Sequence, residues 1–206
     1  FFILIFFPLF CFCFIFSDFN ISQLVYADNA ICKSEILIDA RTNTVLKFKN
    51  MDLKLPIASI VKLMTLYIVF DEIDKNHLSF EDEVVVSEYA SSMGGSQLFL
   101  DANSTHKVDD LIKSIVVASA NDSSVVLAEK ISGSEKEFVD KMNNIAKELG
   151  MYNTLYTDCT GIDEKGYSTC KDVSIIASKV LTSSYYQKYS SIWLEYYKHP
   201  TGRETE

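Results

Sequence analysis

Positive charge is scarce in this sequence of 206 residues. It holds 19 Lys and Arg against 28 Asp and Glu, a formal net charge of −9. A nucleic-acid-binding protein needs a basic face to displace counterions, so this charge argues against that class. Hydrophobic residues make up 48% and charged residues 23% of the chain, which is ordinary globular usage and argues against wholesale disorder. The length is sufficient for about one domain.

Cysteine is too scarce and too irregularly spaced to organise the fold. Beyond residue 27 the sequence has three cysteines, Cys32, Cys159 and Cys170. An odd number at irregular spacing is neither a disulfide framework nor a zinc site. A bond between Cys159 and Cys170 after export is left open. Internal repeats and low-complexity linkers are also missing from the sequence.

The first residues form an apolar run without a polar side chain, residues 1–16. The run is short for a membrane span of about 20 residues and suits the core of a secretory signal peptide. Val25 and Ala27 supply small residues for a cleavage site, so we expect residues 1–27 to be a signal peptide. Because its basic stretch and initiator methionine are missing, we expect the true N-terminus to lie upstream. A membrane-retained leader is the alternative, and Pro8 weakens it.

Hydrophobic periodicity predicts a β-hairpin followed by helices. Two short apolar runs, 34–40 and 44–48, are separated by a turn containing Asn43. Helices are predicted over 59–70, 108–118, 123–131 and 134–149, and from a cap at Thr169 or Ser168 to about 181. The aromatic-rich segment 185–199 is expected to be core. A two-stranded hairpin is not stable by itself, so we expect the sheet to be completed by strands beyond Glu206.

A serine becomes a nucleophile when a base lies beside it, and a lysine three residues later on a helix can serve if burial keeps it neutral. This spacing is common by chance. It occurs three times, at Ser59/Lys62, Ser104/Lys107 and Ser168/Lys171. The first pair alone is surrounded by apolar residues at the start of a helix, where a charge is costly. A capping serine with a lysine that reaches solvent is the alternative interpretation.

A second candidate is the corner Ser119-Ala120-Asn121, which directly follows an apolar helix. Taken alone, it is explained by helix termination, because Ser and Asn favour such positions. Together with Ser59/Lys62 it resembles the first two signatures of the penicillin-recognising serine enzymes, Ser-x-x-Lys and Ser-x-Asn. Longer stretches resemble the D-alanyl-D-alanine carboxypeptidases among the low-molecular-weight penicillin-binding proteins, from about Glu35 to about Tyr197. These stretches are LPIASIVKLMT, SMGGSQLFL, VDDLIKSIVVASANDSSVVLAE, GSEKEFVDKMNNIAKELGM and TGIDEKGYST.

The resemblance implies a role for each candidate residue. Ser59 would be the acylated nucleophile and its N–H half of an oxyanion hole. Lys62 would be the general base, Ser119 would relay a proton to the departing D-alanine, and Asn121 would bind the substrate's peptide group. The substrate would be a peptidoglycan stem peptide ending in D-Ala-D-Ala, and β-lactams would be covalent inhibitors. The family uses no metal or organic cofactor.

The resemblance also implies the fold class and the location. We expect an α/β (α+β) serine β-lactamase and penicillin-binding-protein-like transpeptidase fold in residues 28–206, with the helical subdomain largely present and the sheet limited to the N-terminal hairpin. The enzyme would be exported and act at the extracytoplasmic face of the cell membrane, in peptidoglycan biosynthesis and cell shape.

One departure concerns the family's third signature, Lys-Thr-Gly, which binds the substrate carboxylate and completes the oxyanion hole. Thr160-Gly161 and Thr201-Gly202 do not follow a lysine. We therefore expect the third signature, the C-terminal strands and a membrane-binding tail to lie beyond Glu206. These 206 residues alone should be inactive or nearly so, because half an oxyanion hole is worth about 10²–10³ in rate.

Two other functions are considered. A class A β-lactamase needs a glutamate to activate the deacylating water. Glu135, Glu137 and Glu148 are predicted on the solvated face of a helix, and Glu164 lies in a turn that resembles the carboxypeptidases. A non-catalytic wall-binding module is the second alternative, and the intact candidate residues argue against it.

Two further features receive no catalytic role. The Gly94-Gly95-Ser96 loop is either near the mouth of the cleft or a flexible turn, and the turn is favoured. The histidines are assigned neither metal binding nor catalysis because they fall in polar loops without partner spacing; they are His77, His106 and His199.

Overall fold

The structure, a computed structural model, describes residues 2–7, 13–15 and 32–205. The predicted signal peptide lies largely outside these residues, and so does its cleavage site after Ala27.

The main sheet has four antiparallel strands in the order β2-β1-β3-β4. The predicted hairpin is confirmed as β3 and β4, and Asn43 takes the left-handed turn conformation, with φ of 56°. β1 pairs along the whole of β3, from Phe2 opposite Asp39 to Phe7 opposite Ser34. The strands are β1 (Phe2–Phe7), β2 (Cys13–Ile15), β3 (Ser34–Asp39) and β4 (Thr44–Lys49).

This sheet has two more strands than the hairpin that the sequence predicts. Without β1, the second edge of β3 would present a row of unpaired N–H and C=O groups. The apolar Phe- and Ile-rich segment has the high β-propensity needed to pair with such an edge. In the described residues β1 therefore covers this edge of β3 from the N-terminal side. Cleavage after Ala27, which the sequence predicts, would remove β1 and β2 and leave the edge free.

The predicted helices are confirmed, with small changes at their ends. A 3₁₀ helix (Ala58–Val61) precedes the first α-helix, so that helix begins one turn later than Ser59. The Ser134 hydroxyl accepts the Glu137 N–H and donates to the Glu137 carboxylate, which forms a capping box at the helix start. The Thr169 hydroxyl accepts the N–H of Asp172 at the start of another helix. The helices are α1 (Lys62–Asp74), α2 (Glu88–Ser91), α3 (Val108–Ala118), α4 (Asn121–Ser132), α5 (Glu135–Glu148), α6 (Cys170–Leu181) and α7 (Ser184–Ser190). Short paired strands are β5 (Glu83–Val85) with β6 (Thr105–Lys107), and β7 (Tyr197–Lys198) with β8 (Glu204–Thr205).

Helix α1 forms the centre of the core. Its sequence is apolar nearly all round, and a helix of that kind must be covered on most sides. Met64, Ile68 and Val69 are completely buried, and α1 packs against α4, α5 and α6. The 3₁₀ turn with the candidate Ser59 and the first turn of α1 with Lys62 therefore lead directly into a buried helix of the core.

The expectation that residues 185–199 are core is only partly correct. Tyr189 is buried, whereas Trp193 is 96% and Tyr196 60% exposed. The difference arises because α7 ends at Ser190, and the following residues run over the surface without a helical period. Within residues 32–205 and the described N-terminal strands, no helix has both the length and the apolar character that a membrane crossing requires.

Candidate active site

Ser59 and Lys62 meet on the turn that leads into α1. The Lys62 Nζ lies 3.5 Å from the Ser59 Oγ. Lys62 is 4% exposed, whereas Ser59 is partly open to solvent. The predicted juxtaposition is confirmed, with a reachable hydroxyl beside a buried amine.

The Lys62 amine has a carbonyl as its close partner. Nζ donates a hydrogen bond of 2.8 Å to the Thr160 carbonyl. Burial lowers the pKa of Lys62 to about 8, although nearby Cys159 and Asp158 act in the opposite direction. Burial also raises the pKa of the Cys159 thiol well above its usual value, so the thiol is neutral and Asp158 carries the nearby negative charge. A pKa this close to neutrality suits a general base.

The other two Ser-x-x-Lys pairs are separated in the structure. The Ser104 hydroxyl hydrogen-bonds the ring of His106, and Lys107 forms an ion pair with Glu81. In the third pair the Ser168 hydroxyl is buried against Thr154, and Lys171 is directed towards Asp52 at the surface. Of the three pairs, Ser59/Lys62 is thus the one whose two side chains lie together, and its role as nucleophile and base stays a prediction.

The corner between α3 and α4 presents Ser119 and Asn121. Ser119 ends α3 in the left-handed conformation, with φ of 56°, and Ala120 is extended. The Ser119 Oγ is buried and has no hydrogen-bond partner within the described part of the chain. An unpaired buried hydroxyl costs about 1–3 kcal/mol. A bound molecule whose polar group hydrogen-bonds the Ser119 Oγ would recover this free energy.

The Gly94-Gly95-Ser96 loop packs on this corner, which corrects the expectation of a flexible turn. The Asn121 Nδ2 donates to the Gly94 carbonyl at 2.6 Å, and the Asn121 N–H donates to the Ser96 carbonyl at 2.7 Å. Gly95 has φ of 77°, and an added Cβ would stand 2.7 Å from Asn121 Nδ2. The glycine is therefore required for the approach of the loop to Asn121.

Buried Asp122 anchors the same loop a few residues later. Its carboxylate accepts the N–H groups of Leu98 and Leu100, each at 3.0 Å. The loop is thus tied at two points to the start of α4.

The segment Asp158–Gly161 is the part of the candidate site that sequence reasoning missed. The Thr160-Gly161 dipeptide drew attention only because it lacks a preceding lysine. In the structure Thr160 supplies the carbonyl that holds Lys62, and Gly161, with φ of 87°, lies against the peptide that joins Ala58 to Ser59. The available signal was the glycine itself, since close backbone approach needs a residue without Cβ.

In the structure Ser59 lies beside Lys62, and Asn121 is hydrogen-bonded to the 94–96 loop. Helices α1 and α4, which follow these two turns, pack against each other. Within residues 32–205 no hydrogen bond links the Ser59/Lys62 pair to Ser119 or Asn121. Lys62 is thus held by the Thr160 carbonyl and Asn121 by the 94–96 loop, at the starts of two helices that pack against each other.

Glu135 differs from its prediction as a solvated helix residue. It accepts the Tyr89 hydroxyl at 2.5 Å and the Cys159 N–H at 3.1 Å. The first turn of α5 thereby supports the loop that reaches Lys62. Glu137 and Glu148 are exposed as predicted, and Glu164 lies in a turn and is also exposed.

Two of the histidines and the cysteines Cys159 and Cys170 are buried. Cys159 and Cys170 are free buried thiols with different partners, Glu135 and Ser34 respectively. His106 and His199 are buried although their sequence surroundings are polar. Their local sequence failed to predict this because the covering groups come from distant segments.

Comparison with known proteins points to one family. Residues 22–201 match the family model described as D-alanyl-D-alanine carboxypeptidase. The carboxypeptidase DacF of Bacillus subtilis is 42% identical over 173 residues, covering 84% of this chain and 44% of that protein. DacC of Escherichia coli is 32% identical over 179 residues, covering 84% of this chain and 45% of that protein.

A solved structure shows the same fold. The crystal structure of the carboxypeptidase DacD from Francisella tularensis superposes with a TM-score of 0.74 at 34% identity, over 76% of this chain and 39% of that one. The chain spans less than half the length of these relatives. It has the α/β penicillin-binding-protein fold of the resemblance, and it belongs to the D-alanyl-D-alanine carboxypeptidase family, the S11 serine peptidases.

Proposed function

We propose that the full-length protein removes the terminal D-alanine from peptidoglycan stem peptides through an acyl-enzyme on Ser59. The observation that carries this proposal is the position of the Lys62 amine, which is buried and lies 3.5 Å from the Ser59 Oγ. Among the residues that the structure describes, it has no carboxylate partner. A buried amine with a pKa of about 8 is partly neutral at physiological pH and accepts the serine proton.

Acylation begins when neutral Lys62 takes the Ser59 proton and the Oγ attacks the carbonyl between the two D-alanines. The Ser59 N–H, at a helix start, stabilises the oxyanion as half of the oxyanion hole. Ser119 then relays the proton from the Lys62 ammonium to the amine of the departing D-alanine, which leaves both side chains as they began, and Asn121 holds the peptide group of the remaining acyl chain. Water hydrolyses the ester and returns the shortened peptide and free Ser59.

The test uses the full-length gene product. We expect fluorescent penicillin to label the wild type, and Ser59→Ala to abolish the label. Ser104→Ala is the matched control, because Ser104 precedes a lysine at the same spacing, and it should keep the label. Mass spectrometry of a pentapeptide ending in D-Ala-D-Ala should show loss of one D-alanine.

The same assays separate the alternatives. Rapid turnover of penicillin instead of a stable adduct would support a β-lactamase, and a wild type that takes no label would support a wall-binding module. Release of D-alanine by Ser59→Ala would contradict the proposal.

Export is part of the proposal, because the substrate lies outside the cytoplasm. Residues 1–27 would direct it, and the relatives are named D-alanyl-D-alanine carboxypeptidases, after the dipeptide that ends the peptidoglycan stem peptide. N-terminal sequencing of the exported protein should begin at Asp28, and an intact leader on the exported protein would contradict cleavage there.

A further inference from the structure

Asp158 is the centre of the loop that reaches Lys62. Its Oδ1 accepts the N–H of Gly161 at 2.6 Å and the N–H of Thr160 at 3.2 Å. Its Oδ2 accepts the N–H of Asp163 at 2.7 Å and the Thr160 hydroxyl at 3.2 Å. One carboxylate thus bonds three backbone N–H groups and a hydroxyl, and the shape of the loop depends on it.

The loop shape determines where the Lys62 amine lies. Thr160 is 2% exposed, and its carbonyl accepts from Lys62 Nζ at 2.8 Å. The next residue, Gly161, is bound by Asp158 through its N–H and lies against the Ala58 carbonyl through its Cα. A shift of the loop would therefore move both the carbonyl acceptor of Lys62 and the backbone that precedes Ser59.

The charges around the Lys62 amine come from the same loop. The groups that act on it are the Asp158 carboxylate, the Cys159 thiol and the Thr160 carbonyl, together with the Ser59 hydroxyl on its own turn. Three carboxylates of the helices that pack on α1 are engaged elsewhere. These are Asp122 with Leu98 and Leu100, Glu135 with Tyr89 and Cys159, and Asp172 with Asn153 and Thr154.

We propose that Asp158 is a positioning residue for acylation. Its carboxylate shapes the 158–163 loop so that the Thr160 carbonyl holds the Lys62 amine at Ser59, and its negative charge favours the protonated form of that amine. The inference rests on the proposed function, in which the proton moves from Ser59 Oγ to Lys62 Nζ as the Oγ–carbon bond forms. Asp158 takes no proton in this step. It stabilises the ammonium that the step creates, and the Thr160 carbonyl accepts from the amine before and after.

The experiment measures the acylation rate of the full-length protein by fluorescent penicillin as a function of pH. Asp158→Ala removes all four hydrogen bonds and should slow acylation about 10²-fold, the usual loss for a displaced catalytic group. Asp158→Asn keeps one oxygen acceptor and removes the charge. Because the Asp158 charge favours the protonated amine, its removal should move the acidic limb of the pH profile to lower pH.

Asp163→Asn is the matched control. It makes the same change of charge in the same loop, but its carboxylate accepts from the Lys165 N–H. We expect its pH profile to coincide with that of the wild type. An Asp158→Asn profile that also coincides with the wild type would overturn the inference, even if Asp158→Ala fails to fold.

Failure of the proposed function is distinguishable in the same experiment. A wild type that takes no label, or a label that persists in Ser59→Ala, refutes the acyl-enzyme itself. Normal labelling of the wild type with unaltered Asp158 profiles refutes only the role of Asp158.

Discussion

The Cα of Gly161 lies against the carbonyl of Ala58, so closely that an added Cβ would stand 2.0 Å from the Ala58 oxygen and 2.9 Å from the Ser59 nitrogen. Both atoms belong to backbone, which cannot move aside as the end of a flexible side chain can. The contact joins the 158–163 loop to the turn that carries the candidate nucleophile, across about half of the chain.

Gly161→Ala should therefore displace Ser59 and slow penicillin acylation of the full-length protein by about 10²-fold or more. Gly150→Ala is the control, because Gly150 has a similar φ of 81° but open space around the added Cβ. Acylation rates of the two variants separate the steric contact from backbone strain. Equal losses in both would show that the Ala58 contact has no special importance.

Acylation should depend on pH through Lys62. The neutral amine is the base, and its pKa lies at about 8 because of burial. Below that pH the neutral fraction, and with it the rate constant, should fall about tenfold per pH unit, and above it the rate should level off. Stopped-flow labelling between pH 6 and pH 10 measures the profile. A midpoint near the ordinary lysine value would mean that Lys62 is not buried in the active protein.

The same lysine should make stability depend on pH. Burial disfavours its charged form, so the unfolded state binds more protons between the folded pKa of about 8 and the ordinary value of 10.5, and stability contributed by this group rises with pH in that window. Relative to Lys62→Met, the wild type should gain about 2 kcal/mol of unfolding free energy between pH 7 and pH 9.5. Urea unfolding of the two proteins measures this difference, and a pH-independent difference would argue against a buried amine.

Gly95→Ala should weaken the action on the peptide substrate more than it weakens folding. The added Cβ would stand 2.7 Å from the Asn121 Nδ2, so the amide must move and lose its bond to the Gly94 carbonyl. Loss of one such hydrogen bond costs about 1 kcal/mol, or about fivefold in rate. Release of D-alanine from a D-Ala-D-Ala peptide measures the effect.

Gly94→Ala is the neighbouring control, because nothing lies within 4 Å of its added Cβ. Its rate of D-alanine release should match that of the wild type. A Gly95→Ala variant that works as fast as Gly94→Ala would show that Asn121 tolerates displacement and has no part in holding the substrate.

Local features were predictable from the sequence because they depend on residues close together in the chain. The hairpin follows from two apolar runs around Asn43, and α5 begins where its capping box indicates. The Ser59/Lys62 contact belongs to this class, since a helical turn brings residues three apart to one face whatever surrounds it. Its apolar flanks also indicated correctly that the amine would be buried.

Features that join distant segments required the tertiary structure. The carbonyl that holds Lys62 comes from Thr160, 98 residues further along the chain, and no local pattern relates the two. Glu135 has the helical spacing of a solvated residue, yet the packing of α5 turns it towards Cys159.

By itself, the sequence determined the order of the elements, the Ser59/Lys62 contact and the family. Only the tertiary structure decided which loop holds the lysine and which carboxylate shapes that loop. The physical reason is that hydrogen bonds to backbone carbonyls and N–H groups carry no side-chain signature. Any residue can supply them, and the fold alone selects the one that does.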